Sequence, residues 1–442
     1  MKKIFLIGQC TLHWGRMEHG NLGNYAIIEP LIRELHRVFP DAEIATTFQM
    51  SDQFNERERV TKLDMGLYYS WSNTDFLRSL YEVLVSSIFR NRLPKILSTP
   101  YMKEVLQSDL VIDFSGDIWG ENADLVGKHR FVIGLFKDLT AQFLGKKTAM
   151  IAGSPGPFKG SFSKKLAQYV FGRFDLVTNR ESVSTTLLKE NNFPTNNVHS
   201  LACPAFLFHP ASDDEMKEIY RREKIEESRP LVGFIVCGWN MTKGPFGRWP
   251  REDSEYEIFA DAIEHLVRSY HCSVMLLSHN NGFIPPPNFT ITEGRDHQIL
   301  HQLYSVLEKR GSAANVRTLA GLYSMGETKA IIGKFDMLIS GRIHAAVSGF
   351  TQHVPTVVLD YGHEPKAHKL KGFTELAGMR EYMADPSHRE DLITKIDLCW
   401  NNRTAIREQL IKTIPFVQEK ARKNFDLLQS LSSKSTKPAG RV

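Results

Sequence analysis

Ile339-Ser340-Gly341-Arg342-Ile343-His344-Ala345-Ala346 joins two apolar segments of the chain. The run from Phe335 to Ile339 has the character of a buried parallel strand. The small-residue stretch that follows predicts a helix. Arg342 and His344 therefore sit where a strand ends and a helix begins, the crevice in which open α/β sheets bind ligands. A helix N-terminus brings unsatisfied N–H groups and partial positive charge, which favour an anion. The guanidinium fork of Arg342 adds recognition of carboxylate or phosphate. The imidazole of His344 adds a group that moves protons near neutral pH. The purely structural alternative pairs Arg342 with a carboxylate and leaves His344 to cap the helix.

Outward from this junction, strand-like runs alternate with amphipathic helical stretches, the mark of parallel α/β architecture. In the first half, strands are predicted near Ile4–Gly8, Ala42–Thr47, Leu110–Phe114, Thr148–Ile151 and Leu176–Thr178. Helices are predicted at Tyr25–Arg37, Phe131–Leu144, Phe162–Phe171 and Ser182–Glu190. The segment 51–99, polar and aromatic, breaks the rhythm and is expected to be an insertion of loops and helices. A charged helical linker, Asp213–Ser228, ends at Pro230, and Leu231–Cys237 opens a second series of strands and helices. Its later strands are Ser273–Leu277, Val316–Leu319, Phe335–Ile339 and Thr356–Leu359. The expected fold is two Rossmann-like parallel-sheet domains facing a cleft in GT-B-like fashion, with a C-terminal helix packing back. The predicted boundaries are 1–210, 211–388, a helical segment 389–431 and a disordered tail 432–442.

Bulk properties narrow the function. A length of 442 residues exceeds one ordinary core. A net charge of +5 is small for that length and argues against a dedicated nucleic-acid binder. It still suits an anionic small-molecule substrate. The 5 cysteines are scattered and share no CxxC spacing, which argues against a zinc site and for a reducing cytoplasm. The N-terminal apolar run, Ile4 to Ile7, is too short for a signal-peptide core, and no run approaches a transmembrane segment. The positive charge and the C-terminal helix permit peripheral attachment at the inner membrane surface. The sequence carries no signal for oligomeric state.

Five further loops fall at strand ends. Gly20-Asn21-Leu22-Gly23-Asn24 follows the first strand; its glycines permit close ligand approach, and Asn24 could cap a helix beginning at Tyr25. His13, Arg16 and His19 lie just upstream as possible anion contacts. Ser115-Gly116-Asp117-Ile118-Trp119 follows another strand, with Asp117 a base, hydroxyl ligand or turn cap, and Trp119 a sugar-stacking ring or a core aromatic. His129 and Arg130 come next, at a helix start. Ala152 to Pro157 has the composition of a rigid turn. Arg180-Glu181-Ser182 repeats the arrangement of an arginine between strand and helix. Asp360 to Lys366 supplies Tyr361 and Lys366 as possible pocket residues.

Taken together these pieces resemble the polysaccharide pyruvyl transferase family. Asn21-Leu22-Gly23-Asn24 is similar to its N-x-G-D loop, Ser115-Gly116-Asp117 to its glycine-rich loop, and Cys203-Pro204-Ala205-Phe206-Leu207 to its D-P-A-F-L turn. Ser340-Gly341-Arg342-Ile343-His344-Ala345 is similar to its S-x-R-L-H-A run. Val354-Pro355 through Tyr361, with Lys366, follows as in the family. Departures are Asn24 in place of Asp, Ser115 and Asp117 in place of glycines, and Cys203 in place of Asp.

The resemblance implies transfer of a pyruvyl group from phosphoenolpyruvate to hydroxyls of a sugar, glycan or lipid-linked sugar, forming a pyruvate ketal. It implies His344, Arg342 and Arg180 as catalytic residues. Arg180, Arg342, Ile343, His344, Ser115 and Gly116 would form the donor site, to which His129 is added on its position at a helix start alone. Asn21, Gly23, Asn24, Asp117, Trp119, Tyr361 and Lys366 are candidates for acceptor or loop roles. The scheme needs no metal and no cofactor beyond phosphoenolpyruvate as donor substrate. Two other readings use the same residues: a GT-B glycosyltransferase with a nucleotide sugar, and a non-catalytic sugar-phosphate-binding protein of a polysaccharide locus.

Overall fold

The computed structural model describes residues 1–9, 13–125, 127–225, 230–241, 244, 250–360 and 368–433. Its contacts divide the chain into two units. The first comprises Met1–Arg16, Glu29–Cys203 and Lys420–Val442; the second comprises Met17–Ile28 and Pro204–Glu419. The division runs through the helix Leu22–Val38, of which about the first two turns cluster with the second unit.

The first unit is built on seven parallel strands: β1 Lys3–Ile7, β2 Glu43–Thr46, β3 Val60–Lys62, β4 Leu110–Asp113, β5 Lys147–Gly153, β6 Leu176–Asn179 and β7 Val198–Ser200. Their order is β3-β2-β1-β4-β5-β6-β7. The central strands are apolar on both faces because helices cover both, as parallel sheets require. Ile4, Phe5, Leu6 and Ile7 are all buried, with Leu6 opposite Ile112 in the neighbouring strand. One core layer gathers Trp119, Phe131, Leu135, Phe171 and Phe193. The segment 51–99 holds helices and loops as expected, and also β3, a short polar strand at the sheet edge. The last helix, Arg403–Ser433, meets this unit through Asn424, which donates to the Ala202 carbonyl at 2.9 Å.

The second unit has β8 Leu231–Ile235, β9 Ser273–Leu276, β12 Val316–Thr318, β13 Met337–Ser340, β14 Thr356–Leu359 and β15 Met383–Ala384. They form a second parallel sheet in the order β12-β9-β8-β13-β14-β15. Between β9 and β12 a two-stranded antiparallel hairpin, β10 Asn281–Ile284 and β11 Thr290–Glu293, stands apart from the sheet. Ile235, Met275, Ile331, Leu338 and Ala345 share its core. Reciprocal Ser-Glu capping boxes start the helices Asp213–Arg222 and Met325–Ile332, satisfying their first N–H groups.

In both sheets the strand order reverses once, between β1 and β4 and between β8 and β13. Chain connections leave these two strand pairs in opposite directions, which opens a crevice at their carboxyl ends. The first crevice is edged by Gln9 and Ser115, the second by Cys237 and Arg342. The tail 434–442, Tyr361 and Lys366 lie outside the described residues.

Candidate active site

At the second crevice Gly341 continues β13, its N–H donating to Ile235 O at 2.8 Å. A Cβ at Gly341 would collide with the Asn240 side chain, so only glycine fits. Asn240 is fixed in turn by accepting from Cys237 N at 3.0 Å and by donating to Asp360 O at 3.3 Å. Cys237 is wholly buried, and burial pushes its thiol up to about 11, which leaves it an inert packing group.

Arg342 occupies the N-cap position of the helix Ile343–Thr351. Its Nε and Nη2 donate to the two carboxylate oxygens of Asp296, at 2.9 and 2.6 Å, a bidentate pair with Asp296 almost fully buried. One edge of the guanidinium is thus held by the protein itself. Asp296 lies in the first turn of the helix Arg295–Lys309, where negative charge is favoured. Ile343, assigned to the donor site by the family resemblance, is buried beneath the helix as its first residue.

His344, half-buried, lies one residue further along. Its ring is edge-on to Phe373 at 6.1 Å between centroids. The helix Leu22–Val38 begins beside it. Asn21, not Asn24, makes the N-terminal cap: its Oδ1 accepts from Gly23 N at 3.1 Å and its carbonyl from Asn24 N at 2.8 Å. The helix therefore starts three residues earlier than the spacing suggested, and Asn24 falls inside its first turn. A Cβ on Gly23 would lie 2.5 Å from His344 Nδ1. The first turns of two helices thus meet at the histidine, and both direct N–H groups and positive partial charge toward that end.

The sequence did not single out the loop after β9. Asn280 bridges to Asn21 and accepts from Arg295 N at 3.1 Å, tying together the starts of the helices that carry Gly23 and Asp296. His279 is 1% exposed, and its Nε2 has no hydrogen-bond partner among the described residues. Burial, reinforced by the Arg342 charge, lowers its pKa to about 3, so it stands neutral beside the ion pair.

In the first unit, Arg180 is 3% exposed and donates from Nε to Ser154 Oγ at 2.8 Å. Its Nη2 stands 3.8 Å from Asp117 Oδ2. Glu181 caps the next helix by accepting from Ser184 N at 2.7 Å and also accepts from Ser154 at 3.0 Å. Burial raises the Glu181 pKa. Gly116, in the left-handed region at φ +61°, passes its carbonyl to Ser154 N. Ser115 is buried and bridges the crevice edges, accepting from Gln9 N at 2.8 Å and donating to Asp113. Its hydroxyl proton is thus directed to Asp113. Asp113 and Asp138 are buried together, and burial pushes Asp113 up to about 6.

Trp119 requires a correction. It is not a sugar-facing ring; it is wholly buried among Phe131, Phe158 and Phe171, with its Nε1 donating to Asp138 at 3.4 Å. The exposed indole of this unit is Trp71, in left-handed backbone at φ +61° and stacked on His13 at 4.9 Å. The Arg130 guanidinium lies 5.7 Å from its ring centre. His129, an exposed N-cap with φ +55°, contacts Phe76.

Two reversing parallel sheets with strand-end cationic sites define an α/β chain of the GT-B type, and comparison with solved structures agrees. A glycosyltransferase from Rickettsia africae superposes with a TM-score of 0.61 at 11% identity, over 98% of this chain and 99% of that one. A UDP-GlcNAc 2-epimerase from Neisseria meningitidis gives 0.57 at 11% identity, over 98% and 100%. The family model for polysaccharide pyruvyl transferase matches residues 21–363, and the chain belongs to that family. The amylovoran biosynthesis protein AmsJ of Erwinia amylovora is 24% identical over 439 residues, covering 93% of this chain and 95% of its own.

Proposed function

We propose that this protein transfers a pyruvyl group from phosphoenolpyruvate to two hydroxyls of a sugar or glycan, forming a pyruvate ketal and releasing inorganic phosphate. The observation that carries the reading is His344, held against Gly23 where two helix N-termini meet, beside the Arg342–Asp296 pair. The first-turn N–H groups and the guanidinium give an anionic donor its counter-charge. Arg180 is proposed as a second anion-binding group, assigned on family membership. Family membership and the relative named for amylovoran biosynthesis support a polysaccharide acceptor.

In this scheme His344 protonates the methylene carbon of phosphoenolpyruvate, leaving an oxocarbenium-like centre at the neighbouring carbon. One acceptor hydroxyl adds there and gives up its proton. Phosphate departs with the C–O bond electrons, and the second hydroxyl closes the ketal. Trp71 replaces Trp119 as the candidate sugar platform, because only the former exposes its ring.

Calorimetric titration with phosphoenolpyruvate, with UDP-sugars and inorganic phosphate as controls and candidate glycans present, tests the donor. Saturable binding of phosphoenolpyruvate that Arg342→Ala loses is the expected result. Preference for a nucleotide sugar would replace this reading with the glycosyltransferase one. With a glycan in hand, His344→Ala should keep donor binding and lose roughly 10²–10⁴-fold in turnover. Binding without any turnover in the wild type would favour the sugar-phosphate-binding role.

A further inference from the structure

The helix Asp75–Phe89 of the first unit has apolar residues on both sides. Phe76, Leu80 and Val83 pack into the core. On the opposite side Leu77, Tyr81, Leu84 and Ile88 recur at the spacing of one helical face. All four are exposed, Leu77 by 65%, Leu84 by 55% and Ile88 by 72%. The chain then turns at Arg90, in left-handed backbone at φ +51°, and runs back along the helix. Tyr81 pins that return by donating its hydroxyl to Leu97 O at 3.1 Å, and Ile96 stands out from it, 93% exposed. Scattered single apolar residues on a surface are ordinary, but a continuous stripe marks an interaction face.

Charge on this segment is sorted. Its acids point inward: Asp75 accepts from Ser70 and Ser72, and Glu82 pairs with the buried Lys137 at 2.6 Å while accepting from Thr99. Arg90, Arg92 and Lys95 are exposed at the end of the stripe and have no carboxylate partner among the described residues. An apolar stripe bordered by cations and free of exposed acids matches a bilayer of anionic lipids, with the rings and aliphatic chains entering the acyl boundary and the cations at the headgroups. A helix of 15 residues, about 22 Å long, lies on such a surface and is too short to span it. Among the described residues no helix is long and apolar enough to cross a membrane.

We propose that the Leu77–Ile88 face, with Ile96 and the Arg90, Arg92 and Lys95 cluster, docks this protein on an anionic phospholipid surface. The inference uses none of the residues assigned to pyruvyl transfer and stands apart from that reading. The test is co-sedimentation of the full chain with vesicles of phosphatidylcholine alone and of phosphatidylcholine with phosphatidylglycerol. Binding is expected only to the anionic vesicles, falling with salt. Arg90→Gln/Arg92→Gln/Lys95→Gln should weaken it by on the order of 10²-fold. Leu84→Glu/Ile88→Glu should abolish it with an unchanged melting temperature, since both side chains are exposed. A wild type that stays in the supernatant with every vesicle would overturn the proposal. So would binding that survives the double glutamate variant. Sedimentation velocity covers the rival occupant: a dimer that Leu84→Glu/Ile88→Glu dissolves, without vesicle binding, would assign the face to a second copy of the chain.

Discussion

Gly23 forms the floor under His344: a methyl group added at Gly23 would lie 2.5 Å from Nδ1 of the ring and 3.0 Å from its Cβ and Cγ. Glycine is otherwise a poor choice in the first turn of a helix, where alanine is favoured by about 1 kcal/mol. Gly23→Ala should therefore keep the fold and push the imidazole aside. A displacement of about 1 Å in a reacting group can cost on the order of 10²-fold. Turnover is expected to fall by about that factor while the melting temperature holds, and an unchanged kcat would separate Gly23 from the chemistry.

Asp296 and Arg342 form a buried bidentate pair. Removing one partner of such a pair leaves the other charged, desolvated and alone, a loss of about 3–5 kcal/mol. Arg342 keeps some solvent contact, so Asp296→Asn should sit at the lower end of that range in a denaturant melt. The double variant Asp296→Leu/Arg342→Met should recover part of the stability and none of the donor binding. Full stability in Asp296→Asn alone would show that the pair does not hold the loop.

His279 makes stability depend on acid. Its folded pKa, about 3, lies below its unfolded value near 6.5. A depressed value means that the neutral form stabilises the fold above pH 6.5, and that this contribution is lost as pH falls toward 3. The slope is at most about 1.4 kcal/mol per pH unit. His279→Asn should remove it, so that urea melts of variant and wild type converge between pH 7 and 4.5. Parallel curves would mean that the imidazole is hydrated in solution.

Trp119 and Trp71 should separate stability from recognition. Trp119→Ala opens a cavity in the first unit's aromatic layer and should cost about 3–5 kcal/mol. Trp71→Ala should leave the melt within about 0.5 kcal/mol and raise the acceptor KM. A tryptophan 71 variant with wild-type KM would remove that ring from the acceptor site.

The central strands were legible because a parallel sheet buried on both faces writes itself as uninterrupted apolar runs; Thr356–Leu359 coincides with its prediction to the residue. The strands that escaped, Val60–Lys62, Val198–Ser200, Asn281–Ile284, Thr290–Glu293 and Met383–Ala384, are short and lie at a sheet edge or in the two-stranded hairpin, where the long apolar run of a central strand does not form. Arg342 and His344 were legible by their place at a strand end. His279 and Asn280 occupy the same kind of place after β9, and the strand-end rule that flagged Arg342 would have flagged them. Asp296 lay hidden because the apolar pattern predicts this helix over His297–Arg310, whereas it begins at Arg295. The exchange of Trp119 for Trp71 has another cause: composition shows that a ring is present, while only long-range packing decides which ring is buried. The contact of Gly23 with His344 is of that kind too.

That contact also orders events in time. Met17–Ile28 belongs to the second unit, yet it is synthesised before nearly all of the first. The loop that will support His344 leaves the ribosome early and must wait, unmatched, until the far end of the chain supplies its counterpart. A nascent chain whose residues 29–203 begin to fold as they emerge still carries an uncommitted N-terminal segment. Fragments cut between Cys203 and Pro204 would each lack half of this contact, so any function that needs it returns only when the two pieces are mixed.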